Sequence, residues 1–230
     1  MGFTIGGTRI RDMRSGWTGF TGFTAFTASR RRAARSAECT AAAEYTGLWG
    51  WDVVPGTRAS AGECSCGDSA CAAPGAHPLG FAPVVPAGAP LDVVAQTWSR
   101  FPGAALMLPV GRAFDVLEVA EQAGRRALVR LERMGLPVGP VCVTPTGRVR
   151  FFVAPGAAAE LPRLLYRMGW EDADLDLRCL GPGAYVTAPP SDLAGLGPVR
   201  WLRAPSLDAP LAPPQARLLL GTLAYICHRA

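Results

Sequence analysis

The sequence predicts a mixed α/β domain. Apolar runs of strand length, such as 105–110 and 113–119, alternate with segments of helical period, of which 123–134 is the clearest. Hydrophobic residues make up 49% of 230 residues, enough for one sizeable core.

The elements follow in order. A helix is expected from Thr40, which can cap it, through Ala41, Glu44, Tyr45 and Leu48, with Gly50 closing it in a left-handed turn. Residues 51–55 read as a short strand stopped by Pro55. Residues 56–90 are rich in Gly, Pro and Cys and hold no long element. In a helix at 91–100, Val94 and Trp98 share a face. In 123–134, Ala127, Leu131 and Met134 form the inner stripe, while Arg126, Arg130 and Arg133 lie on the other side. Residues 140–144 and 148–154 read as strands joined at Pro145-Thr146-Gly147. A helix at 159–168, strands near 174–179 and 184–188, a Pro-rich stretch and a last helix at about 214–228 complete the domain.

Charge divides the chain. All 23 basic residues are arginine, a sign of coding bias that weakens arguments from Arg usage. Residues 1–37 hold seven Arg against Asp12, whereas 38–230 hold sixteen Arg against seventeen acids. The net charge of +5 therefore belongs to the N-terminal segment, read as a disordered basic tail with a Gly/Ala-Phe-Thr repeat at 19–27. The near-neutral remainder lacks the overall basic balance of a nucleic-acid domain, leaving only a local patch to supply one. No export signal or membrane-length apolar run is evident, so a cytoplasmic protein with no membrane partner is expected.

Cys64, Cys66, Cys71 and His77 are spaced C-x-C-x4-C-x5-H. Three thiolates and an imidazole suit tetrahedral Zn²⁺, and a closed site would order a loop with little to bury. The alternative is a loop of reduced cysteines, or a cysteine pair formed on oxidation. Four protein ligands leave no open position, so the expected role is structural.

An ordered set of motifs carries a resemblance. Residues 49–55 (WGWDVVP) lead into the Cys/His loop and Pro74-Gly75-Ala76-His77-Pro78. Then come 114–119 (FDVLEV), Asp176-Leu177-Arg178 and 185–191 (YVTAPPS). Over about residues 40–204 the chain resembles the N-terminal domain of bifunctional DNA primase/polymerases, in the short form common in actinobacteria. The resemblance implies an archaeo-eukaryotic primase-type fold with an RRM-like sheet and the zinc loop as an insertion. The implied division is 1–37 tail, 38–204 domain, and 205–230 linker and helix packed on it.

The resemblance also implies nucleotidyl transfer by two divalent ions, Mg²⁺ or Mn²⁺, held by carboxylates. Its acid-x-acid pair maps onto Glu118 and Ala120, where only the first acid is present. Asp115 and Glu121 point to the opposite face of a regular strand. A third acid maps onto Asp176, beside Arg178, its expected ion-pair partner in the structural alternative. The family's His maps near Val149, with Arg148 or Arg150 able to bind phosphate instead; its Gly-Lys-His-Pro reads Gly75-Ala76-His77-Pro78. The candidate catalytic residues are thus Glu118 and Asp176, and the substrate-binding candidates Arg148, Arg150 and Arg178. The expected function is a degenerate primase/polymerase-like module binding DNA or nucleotide, with an active minimal polymerase as the alternative. A replication or helicase partner would be a separate protein.

Overall fold

The computed structural model describes residues 37–207 and 212–229. The basic tail expected at 1–37 therefore lies outside the described residues, save its last position.

The first helix, α1, spans 37–47. It starts three residues before Thr40, which sits inside it, and Gly50 adopts the expected left-handed conformation at φ 63°. Three short strands follow: β1 (Val54–Gly56), β2 (Ala59–Ser60) and β3 (Glu63–Cys64). The β2–β3 hairpin was not expected. It lies in the Gly/Cys-rich stretch, where two-residue strands leave no periodic signal. Next come α2 (Leu91–Arg100), β4 (Ala105–Pro109), β5 (Asp115–Ala120), α3 (Glu121–Arg133), β6 (Val141–Val143) and β7 (Arg148–Val153). The chain continues through α4 (Ala157–Arg167), β8 (Leu177–Leu180), β9 (Tyr185–Thr187), β10 (Arg200–Arg203) and α5 (Ala216–His228). The β10 strand falls where a Pro-rich connection was expected; Trp201 and Leu202 pack on opposite faces of its sheet.

Two antiparallel sheets organise the molecule. One has the order β1-β4-β9, the other β10-β6-β7-β5-β8. Alternation gives the five-stranded sheet two working faces. On one, Leu117, Val119, Val149, Phe151 and Val153 pack under α3, α4 and α5. On the other, Val116, Cys142, Phe152 and Trp201 join a core with α1, α2 and the smaller sheet. There Trp51 stacks on Phe152 at 5.4 Å and 17°, and Phe114 lies 4.6 Å from the same ring.

α3 lies unusually close to the sheet. A Cβ placed on Gly124 would come within 2.5 Å of the Val149 Cβ, so this helix position has no room for a side chain. The Gly147 turn fixes the approach: Gly147 has φ 75°, and its carbonyl accepts the Glu121 N–H at 2.8 Å where α3 begins.

Candidate functional site

The second face of the five-stranded sheet changes character along its length. Register places Trp201, Cys142, Arg150, Glu118 and Arg178 in one row across all five strands. One pair of residues further along come Arg148 and Ala120, directly opposite each other. The aromatic core ends at this row and a charged cluster begins.

Glu118 is fully buried and accepts bonds from three guanidinium groups. Arg150 Nε donates at 2.7 Å to Oε2; Arg178 Nε donates at 2.8 Å and Arg148 Nε at 3.2 Å to Oε1. Arg148 also donates through Nη1 to Asp176 at 2.6 Å. One guanidinium therefore bridges the two acids. The sequence suggested Arg178 as the partner of Asp176, but Arg178 lies opposite Glu118 in register and turns to it instead.

The cluster is graded from dry to wet. Glu118 is closed off, the Arg150 side chain is 11% exposed, that of Arg148 23% and that of Arg178 62%. Burial pushes the Glu118 carboxyl up, but Arg150 and Arg178 outweigh it and hold the group below its usual range. The Arg148 hydrogen bond likewise holds Asp176 low, and in return Asp176 raises Arg148. Three cations against two carboxylates leave the cluster with a surplus positive charge. Arg150 Nη1 is buried with no partner, a donor not yet used.

The remaining mapped positions divide. Val149 packs on the helix-covered face, away from Glu118, so the residues of β7 that face Glu118 are Arg148 and Arg150. Asp115 is buried and accepts the Ala158 N–H at 2.9 Å near the start of α4. Glu121 is bonded to Arg125 at 2.7 Å, four residues on in α3. Neither comes to Glu118.

The Cys/His positions form a second site. The ligating atoms of Cys64, Cys66, Cys71 and His77 all lie within 4.8 Å of one another. His77 Nε2 is 3.4 Å from Cys64 Sγ and 3.3 Å from Cys71 Sγ. Tetrahedral zinc with bonds of about 2.0–2.3 Å needs ligand atoms roughly this far apart. Nδ1 of His77 lies 2.9 Å from the Pro78 carbonyl, which favours the proton on Nδ1 and leaves Nε2 as a metal ligand. Burial raises the Cys64 thiol, but backbone N–H groups of Cys66 and Gly75 outweigh it and bring it to about 6. A thiol so readily deprotonated suits a metal such as zinc. By contrast, burial pushes Cys142 up to about 12.

Among the described residues no helix is long and apolar enough to cross a membrane. A family model described as "Prim-Pol: Bifunctional DNA primase/polymerase, N-terminal" matches residues 42–216. No curated protein and no solved structure matches the chain.

Proposed function

The chain belongs to the bifunctional DNA primase/polymerase N-terminal family, and from that premise we propose that it is a non-catalytic member, binding nucleotide or nucleic-acid phosphate where its relatives transfer nucleotides. On this reading the five-stranded sheet is the RRM-like sheet of the archaeo-eukaryotic primase fold. The observation that supports it is the environment of Glu118. A carboxylate that holds a divalent ion must offer free lone pairs to it. Both Glu118 oxygens are engaged by Arg148, Arg150 and Arg178, and Ala120 stands at the position of the pair's second acid. The residues present do not fit a two-metal centre; three guanidinium groups stand where the metal charge would be.

The same charge suits an anion. Guanidinium forks match phosphate oxygens, and Arg178 is open to solvent. The zinc loop completes the reading as a structural element with Cys64, Cys66, Cys71 and His77 as ligands, in a cytoplasmic protein.

The active alternative has one observation in its favour: a single side chain, Arg148, links Glu118 and Asp176, so the two acids are neighbours on one face. Primer extension with Mn²⁺ or Mg²⁺ separates the two. The proposal expects no incorporation by the wild type or by Glu118→Ala, together with nucleotide binding that weakens in Arg178→Ala. Incorporation by the wild type that disappears in Glu118→Ala overturns it.

A further inference from the structure

We propose that the outer face of α3, with the neighbouring end of α5, is a second nucleic-acid contact surface, fitted to the phosphate backbone of a duplex and separate from the Glu118 cluster.

The face is built by helical spacing. Arg126, Arg130 and Arg133 fall at i, i+4 and i+7, within roughly 60° of arc at 3.6 residues per turn. All three are exposed, and none has a carboxylate partner among the described residues. The two acids of α3 are engaged elsewhere, Glu121 by Arg125 and Glu132 by Arg203. The stripe is therefore a positive strip without local neutralisation, inside a region whose overall charge is near zero.

α5 adds to it. The Arg130 and Arg229 guanidinium groups lie over the Tyr225 ring, 5.2 and 4.9 Å from its centroid. Two like charges gathered on one aromatic ring are oriented by it, with their N–H edges left to donate. From Arg126 to Arg133 the rise is about 10 Å, roughly three of the ~3.4 Å axial steps between phosphates of one duplex strand. A protein partner would need apolar anchors. The candidates are Val129 and Met134, both 47% exposed (Met134 lies past the end of α3 and outside the inner stripe expected to hold it), and the Tyr225 ring, which already carries cations. The charge pattern thus favours a polyanion, and this face lies on the opposite side of the sheet from Glu118.

The test is anisotropy titration of a labelled mixed-sequence DNA duplex with the full chain between 0.05 and 0.3 M NaCl. The combined Arg126→Ala, Arg130→Ala and Arg133→Ala variant should flatten the log Kd against log salt slope by about 2 to 3 and weaken binding by about tenfold at low salt. The single Arg133→Glu change, at an exposed position, should flatten it by about 1 or more. A wild type that does not bind duplex, or variants with an unchanged slope, overturns the proposal. So does a stripe whose removal abolishes binding of poly-glutamate but leaves duplex binding intact, which would mark an acidic protein partner. Nucleotide binding at Arg178 is read in a separate assay, so failure here and failure of the cluster reading are distinguishable.

Discussion

Glu118 and Arg150 stand directly opposite each other on adjacent strands and are joined by a 2.7 Å bond between two nearly closed-off side chains. A charge placed this deep is stable only while its partners remain, and that dependence makes the cluster testable.

Replacing Glu118 with Gln removes the acceptor charge and leaves Arg148 and the nearly closed-off Arg150, two residues apart on one face of β7, without it. Removing one partner of a buried pair costs about 3–5 kcal/mol. The exposure of Arg178 lets water relieve part of that, so about 3 kcal/mol of lost stability is expected in urea unfolding. A combined Glu118→Gln and Arg150→Met variant should recover much of it, because the unpaired buried cation is gone. A neutral single variant would show that the cluster contributes nothing to stability.

Acid should act through the same carboxylate. The native Glu118 value lies below its ordinary 4.5, so the folded form binds the proton less readily than the unfolded chain. The stabilisation is present above about pH 4.5 and is lost as pH falls through the native value. Asp176, held below its ordinary 3.8, acts with the same sign. Thermal unfolding midpoints should drop more steeply below pH 4.5 in the wild type than in Glu118→Gln. Parallel curves would place the acid sensitivity elsewhere.

Metal removal is expected to loosen the Cys64–His77 loop. Backbone pairing ties this loop to the body: Gly75 accepts the Ala194 N–H, and the Thr57 hydroxyl donates to the His77 carbonyl at 2.9 Å. Protein prepared without chelator should carry one zinc per chain, and Cys64→Ser or Cys71→Ser should reduce it to a small fraction. Chelation should lower the unfolding midpoint, since a site absent from the unfolded chain adds its binding energy to folding. Metal-free protein with an unchanged midpoint would leave the cluster as reduced thiols.

The legible part of this molecule was whatever repeats within a single element. The strand at 148–154 was legible as a run, and the arginines of α3 were visible on the side of the helix away from its apolar stripe. The Cys/His spacing brought four ligand atoms together as read. What the sequence could not show depends on strand order. Glu118, Arg150 and Arg178 meet only because β5 lies between β7 and β8, although sixty positions separate Glu118 from Arg178. Local charge likewise hid in a near-neutral sum until folding placed the α3 acids off the arginine stripe.

Gly124 shows how closely the helix layer controls the buried side of the site. A methyl there meets Val149 at 2.5 Å, and that side chain is packed on a strand whose alternate residues hold Glu118. Gly124→Ala improves helix propensity by about 1 kcal/mol, yet forced overpacking costs about 1–3 kcal/mol, so net destabilisation is expected. Adding Val149→Ala should reverse much of the packing loss, because the two substitutions share one contact and will not be additive. If Gly124→Ala instead stabilises the protein and shows no coupling to Val149→Ala in a double-mutant cycle, α3 does not press on β7 as described. If the coupling is found, the helix that carries the arginine stripe packs directly on the strand that carries Arg148 and Arg150.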